Sequence, residues 1–382
     1  MTTTIDQARI RALAERSVQL ITELQHPDGA YPASPTFSAY QGYSWYRDGA
    51  FIADGMSAAG AVESASRFFD WCQRMLEQRR AQIADIARAE AEGRPLPDDA
   101  MLPTRFTLDG SEGDDEWWDF QTDGYGTWVW AVVAHARRHS LGLERWAEGI
   151  RLSVDYLIAT GHRACFDWWE EHVEHVHVST LGCVIAGLES AADSGVLDAA
   201  QREAARAAAA TARERIATEG VREGHLTKWI GSAEVDGSLA AIIAPMGTVD
   251  ASSPLGLTSI SAIEQQLCVG EGVHRFRADT FYGGGQWPLL SCFLGLAHVA
   301  AGNRERARQL LDWAVSTATD TGELPEQVGE HLLAPERRAE WIERWGPVAT
   351  PLLWSHAMVV RLAVELDLVQ PATPSTLTEV SS

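Results

Sequence analysis

The sequence predicts an all-α fold, a single-domain (α/α)6 barrel in which helical pairs close into a toroid. Three observations point to it. Apolar residues recur at helical spacing along nearly the whole of the 382-residue chain, and runs of alternating β-branched residues are almost absent. The stretches between alternate helices are long and carry aromatic and acidic residues. Paired helices of this kind place the loops of one rim around a single cavity.

Taken in order, the spacing predicts a first helix over 4–25, stopped at His26-Pro27-Asp28-Gly29. Further helices are predicted over 47–60, 63–91, 123–139, 143–159, 178–194, 198–218, 256–268, 279–301, 304–318 and 351–366, with a shorter one over 336–345. The rim loops are then 27–46, 98–122, 161–177, 269–286 and 320–350. Segment 80–101, charged and interrupted by proline, reads as an exposed excursion. No internal boundary stands out, so residues 1–370 read as one domain and 371–382 as a disordered tail.

The formal net charge of −22 sets the surface against phosphate backbones and anionic lipid, so a neutral small molecule is the expected partner rather than nucleic acid or a membrane. The N-terminus interleaves charges with its apolar residues and does not read as a signal peptide, and no apolar run approaches the ~18 residues of a membrane helix. Cys72, Cys165, Cys183, Cys268 and Cys292 show no CxxC spacing and are odd in number, which reads as reduced thiols in the cytoplasm. Fifteen tryptophans are many for this length; core packing accounts for about half, and flat indole faces suit the stacking of sugar rings.

Four loops hold chemistry-bearing residues at a density that packing does not require. Tyr43-Ser44-Trp45-Tyr46-Arg47-Asp48 opens a helix with an adjacent cation and carboxylate beside Trp45, a pair that could clamp sugar hydroxyls through hydrogen bonds worth about 1.5–3 kcal/mol each, or serve as a surface ion pair. Trp117-Trp118-Asp119-Phe120-Gln121-Thr122-Asp123-Gly124 reads as a stacking platform with an amide and a carboxylate, although Asp123 would equally serve as a helix cap. In Phe166-Asp167-Trp168-Trp169-Glu170-Glu171 a carboxyl set among indoles is desolvated, which raises its pKa as a general acid requires. His172, His175 and His177 follow; His175 and His177 with Glu174 could ligate zinc, but their Val-rich setting reads as an extended segment, and no metal is assigned. Glu326-Gln327, after Gly322-Glu323-Leu324-Pro325, presents a glutamate on a rim loop, where a general base would stand.

In this order the motifs resemble glycoside hydrolase family 15, the glucoamylase-like family, and in particular its compact isomaltose glucohydrolases. The resemblance runs from about Tyr31 to Ala363. It rests on Trp45-Tyr46-Arg47-Asp48, on Trp117 with Gln121, Asp123 and Gly124, and on Asp167-Trp168-Trp169-Glu170-Glu171. It also rests on Arg275, Asp279, Thr280, Tyr282 and Trp287, on Glu326-Gln327, and on Trp354-Ser355-His356-Ala357. The resemblance implies Glu170 as general acid and Glu326 as general base. It implies that Arg47 and Asp48 hold the 4- and 6-hydroxyls of a terminal glucose, that Arg275 and Glu171 engage the opposite side or the next subsite, and that Trp117 and Trp169 wall the pocket. No cofactor is implied. The N-terminal β-sandwich of bacterial members has no counterpart here, and Gly283, Gly284 and Gly285 stand where bulkier residues are expected, which bears on subsite shape.

The activity so implied is exo-acting, inverting hydrolysis that releases β-glucose from short α-glucosides, with isomaltose as the expected substrate. Maltooligosaccharides and trehalose remain alternatives. Inverting hydrolases hold their two carboxyls roughly 6.5–9.5 Å apart so that water fits between base and sugar. Tyr43 is a candidate partner for that water or for the base. Two readings from other classes stay open: a sugar epimerase or isomerase using the histidines, and a non-catalytic glycan-binding protein.

Overall fold

The structure, a computed structural model, describes residues 5–117 and 119–371. The tail expected to be disordered therefore lies, apart from Pro371, outside the described residues.

Two kinds of helix build the fold, and the sequence separates them by how much of their circumference is apolar. Outer helices bury a stripe and turn charge to solvent. In α8 (Ala199–Glu219) the buried positions are Ala205, Ala209, Ala212 and Ile216, steps of four and three residues that stay on one face. Asp198 caps that helix by accepting the amide of Gln201. The other outer helices are α1 (Gln7–Leu24), α3 (Val62–Gln78), α6 (Ala147–Thr160), α10 (Pro254–Leu267) and α12 (Arg304–Ser316). Inner helices are buried almost all round: α2 (Tyr46–Ala58), α5 (Asp123–His139), α7 (Val178–Ala192), the short α9 (Leu239–Ile243), α11 (Pro288–Ala300) and α14 (Leu353–Glu365).

The inner helices pack in the order α2, α5, α7, α9, α11, α14 and back to α2, and the chain alternates between outer and inner helix around this ring. The (α/α)6 barrel expected from the sequence is the observed architecture. Close packing within the ring depends on small residues. A Cβ on Gly126 of α5 would stand 2.3 Å from the Cys183 carbonyl oxygen of α7, and one on Gly187 would stand 2.7 Å from the Gly126 oxygen.

Four details differ from the sequence reading. The helix expected over 63–91 breaks at Arg79 into α3 and α4 (Arg80–Ala91), and α4 buries Ile83 and Ile86 with its packing directed at α6. The exposed excursion is thus confined to the segment beyond Ala91. The helix expected from 279 begins at Pro288, because Tyr282, Gly283 and Gly284 take φ of 50°, 85° and 68° and form a turn. Helix α9 has five residues, too few to show a period. Finally, three antiparallel two-stranded ribbons appear: β1 (Tyr43–Trp45) with β2 (Arg105–Thr107), β3 (Val221–Arg222) with β4 (His225–Leu226), and β5 (Cys268–Val269) with β6 (Gly272–Val273).

All five cysteines are free, and four are buried. Among the described residues no helix is long and apolar enough to cross a membrane. The loops that lead from outer into inner helices lie at one rim, where the N-termini of the inner helices converge. Helix α13 (Arg338–Trp345) stands on the last of these loops, outside the alternation.

Candidate active site

The rim loops enclose a recess of about 930 Å³, mouth included. Trp45, Trp117, Trp168, Trp169, Trp287, Trp341, Trp345 and Trp354 line it. Asp48, Glu170, Glu171, Glu326, Arg47 and Arg275 supply its charge.

Glu170 sits on a turn between α6 and α7 that is closed by its own backbone. The Asp167 carboxylate accepts from the amides of Trp169 at 2.8 Å and Glu171 at 2.9 Å, and the Glu170 amide donates to the Asp167 carbonyl at 3.0 Å. This holds Glu170 at φ 64°, a left-handed conformation unfavourable for a side chain with a Cβ and found where surrounding structure over-determines the backbone. Its Oε1 accepts from Trp45 Nε1 at 2.7 Å and from Gln121 Nε2 at 3.4 Å. Burial pushes the Glu170 carboxyl above its ordinary value, against the pull of Arg47 and the hydrogen bonds from Trp117, Trp45 and Gln121.

Glu326 lines the same recess from the loop between α12 and α14. It is 2% exposed, and its backbone amide donates to the Ala349 carbonyl at 2.9 Å. Oε1 accepts from the Tyr40 hydroxyl at 2.8 Å, whereas Oε2 is buried without a hydrogen-bond partner among the described residues. Burial pushes this carboxyl up to about 8, opposed by the Tyr40 hydrogen bond and by Arg275. Burial thus works toward the neutral form of Glu326, and the Tyr40 hydrogen bond and Arg275 toward the ionised base that the sequence predicts. Tyr40 and Trp45 meet edge to face at 5.3 Å, so one aromatic pair carries a hydrogen-bond donor to each carboxyl.

Two arginines, each 4% exposed or less, hold the pocket walls. Arg47 Nη1 donates to Gln121 Oε1 at 2.7 Å and to Asp123 Oδ2 at 3.1 Å, and its Nε lies 3.3 Å from Asp48 Oδ1. Asp123, the first residue of α5, uses its other oxygen on the Gly124 amide at 2.6 Å. Burial, opposed by Arg47, pushes Asp48 up to about 6, with Glu170 adding to the rise. Arg275 forms a two-pronged pair with Asp279, at 2.9 and 2.5 Å, and reaches Glu171 at 3.0 Å.

The structure brings Trp45, Arg47, Asp48, Trp117, Trp169, Glu170, Glu171, Arg275, Trp287, Glu326 and Trp354 to the cavity. Gln121, Asp123, Asp279 and Gln327 do not line it and stand behind the wall. Gln327 accepts from the Gly285 amide at 2.8 Å and donates to the Phe281 carbonyl at 3.2 Å, bracing one loop against another. Tyr43 needs correction. Its hydroxyl donates to Asp115 at 2.6 Å, while Arg105 lies 3.7 Å over its ring, so Tyr40 is the residue that meets the base. The sequence does not single out Tyr40, Phe281, Trp341 and Trp345, since one aromatic residue in a long loop carries no spacing signal.

The glycines at 283–285 do not line the cavity either. A Cβ on Gly284 would meet the Asp279 carbonyl at 2.4 Å and one on Gly285 the Val328 carbonyl at 2.2 Å, so they let the Arg275 turn pass close to the loop that carries Glu326. None of His172, His175 and His177 reaches the pocket. His175 stacks on Trp229 at 4.2 Å, and His177 Nε2 meets the His172 carbonyl at 3.0 Å. No group of three or more His, Cys, Asp or Glu among the described residues gathers as metal ligands would.

Comparison with known proteins places this geometry in a family. The profile of glycosyl hydrolases family 15 matches residues 9–333. An isomaltose glucohydrolase of Kribbella flavida is 53% identical over 366 residues, 96% of this chain and 95% of that protein. An uncharacterized glycosyl hydrolase of Methanocaldococcus jannaschii is 24% identical over 94% of this chain and 57% of its own length. Solved structures of a glycosidase align with a TM-score of 0.93 over 96% of this chain and all of theirs, the wild type at 52% identity and a glutamate-to-alanine variant in complex with glucose at 51%. A bacterial glucoamylase complexed with acarbose shares the fold at TM-score 0.73 and 20% identity, over 94% of this chain and 56% of its own.

Proposed function

The chain belongs to glycosyl hydrolases family 15, and from that premise we propose that it removes glucose from the non-reducing end of short α-glucosides with inversion, isomaltose being the preferred substrate. The observation that carries this reading is two glutamates on separate rim loops of one indole-lined recess, Glu326 buried and Glu170 partly buried, with remaining charged groups that suit hydroxyls.

In the proposed reaction, protonated Glu170 gives its proton to the glycosidic oxygen as the bond to the anomeric carbon breaks. Water attacks that carbon from the opposite face and passes a proton to ionised Glu326. Tyr40 supports the ionised form by donating to Oε1, and Oε2 is the oxygen with no other partner, hence the one for water. Product release and exchange of the two carboxyl protons with solvent restore the starting state. Arg47 and Asp48 bind hydroxyls of the terminal ring, fixed in place by Gln121 and Asp123. Arg275 and Glu171 bind on the side of the departing sugar.

The choice of isomaltose rests on the high identity to the Kribbella flavida enzyme along both chains. We also place the protein in the cytoplasm, on the support of five unpaired cysteines. Initial rates on isomaltose, maltose and trehalose test the substrate. Isomaltose should be turned over fastest, and negligible isomaltose turnover would remove it. Glu326→Ala should lose activity by at least ~100-fold while still binding glucose, and wild-type turnover in that variant would end the assignment of the base.

A further inference from the structure

Thirty arginines and one lysine make up the basic residues of this chain, and the single lysine, Lys228, is 2% exposed. It lies on the sixth rim loop, between α8 and α9, the one whose residues do not line the pocket. Its backbone is tied to the start of α7: the Val178 amide donates to the Lys228 carbonyl at 3.1 Å, and the Ile230 amide to the Val176 carbonyl at 2.9 Å. Its Nζ stands 3.6 Å from Asp167 Oδ2, 3.3 Å from Asp236 Oδ2 and 3.0 Å from the centre of the Phe276 ring.

Both carboxylates act on the turn that presents Glu170. Asp167 closes it by accepting the Trp169 and Glu171 amides, and Asp236 accepts the indole N–H of Trp169 at 3.0–3.1 Å. Without a cation between them, two buried negative charges would repel across the space behind Trp169. The compact ammonium fits over the Phe276 face, whereas a planar guanidinium fork at that distance would meet the ring. A chain that uses arginine everywhere else thus has a physical reason for lysine at this place.

We propose that Lys228 is a positioning residue for the catalytic acid: by joining Asp167 to Asp236 it holds the left-handed turn that aims Glu170 at the glycosidic oxygen. The inference rests on the assignment of Glu170 as the acid. It predicts that loss of Lys228 impairs the step needing a proton more than it impairs binding or folding.

The test compares two substrates, isomaltose, whose sugar leaving group must be protonated, and α-glucosyl fluoride, whose fluoride departs with little acid assistance. In Lys228→Met, kcat on isomaltose should fall on the order of 10- to 100-fold with KM nearly unchanged, while turnover of the fluoride stays within about threefold of wild type. Asp236→Asn, which keeps an acceptor for Trp169, should show the same split at smaller size. Equal losses on both substrates, no loss on either, or failure of both variants to fold would make Lys228 structural and overturn the proposal. Glu170→Gln, assayed alongside, separates the two assignments: if it spares isomaltose, the acid is misassigned, whereas a split in Glu170→Gln without one in Lys228→Met defeats the lysine alone.

Discussion

At the scale of single residues, the site is governed by what each carboxyl accepts. Glu170 takes an indole N–H and lies near Arg47; Glu326 takes one phenol O–H and is more enclosed. The Tyr40 hydroxyl favours the charged form of Glu326, so its removal raises the pKa of that carboxyl. Tyr40→Phe should therefore move the acid-side half-point of the kcat/KM profile to higher pH, and an unchanged or lowered half-point would show that Tyr40 does not tune the base. Most of this chemistry is legible in the sequence, because acids beside clustered indoles and an Arg–Asp pair opening a helix are local patterns. The base's partner is not. Tyr40 and Tyr43 are three residues apart in one loop, and only the β1–β2 ribbon, with Tyr43 opposite Thr107 and its hydroxyl on Asp115, decides which of them faces Glu326.

At the scale of elements, the rim loops do different work. Helix α13 carries Trp341 and Trp345 to the mouth, where Trp345 lies near-parallel to Trp117 at 6.5 Å and edge-on to Phe37 at 6.0 Å, and where Trp341 donates to the Thr280 carbonyl at 2.9 Å. On the proposed reading, this wall limits how much sugar extends beyond the cleaved bond. Trp345→Ala should raise the rate on isomaltotriose relative to isomaltose, read as a ratio of kcat/KM, and an unchanged ratio would remove α13 from substrate selection. The period over 336–345 predicts the helix itself, but not its place at the mouth, since nothing in eight residues says which loop they fold across. Helix α9 shows the opposite failure. Its five residues complete the inner ring by packing on α7 and α11, a tertiary cause that leaves no period to read.

For the whole molecule, the barrel buries the ionisable groups of its pocket against the preference of a packed interior. The folded-state pKa of Glu326 lies near 8, above the ~4.3 of an exposed glutamate. A group raised in this way contributes stability that is fully present below the unfolded value and is lost as pH rises through the folded one. Glu326→Gln removes that loss, so its melting temperature should exceed the wild type's at about pH 9, with the gap closing toward about pH 5. A gap that widens toward acid pH would contradict the burial argument. The toroid as a whole is readable because its parts repeat: all-round apolar helices alternate with striped ones, and the long loops fall on every second connection.

Two carboxyls with water at one of them require a single outcome at the anomeric carbon. Proton NMR of the first minutes of isomaltose hydrolysis reads it directly. The account predicts that β-glucose appears first and only later mutarotates to the equilibrium mixture; α-glucose as the first product would contradict it.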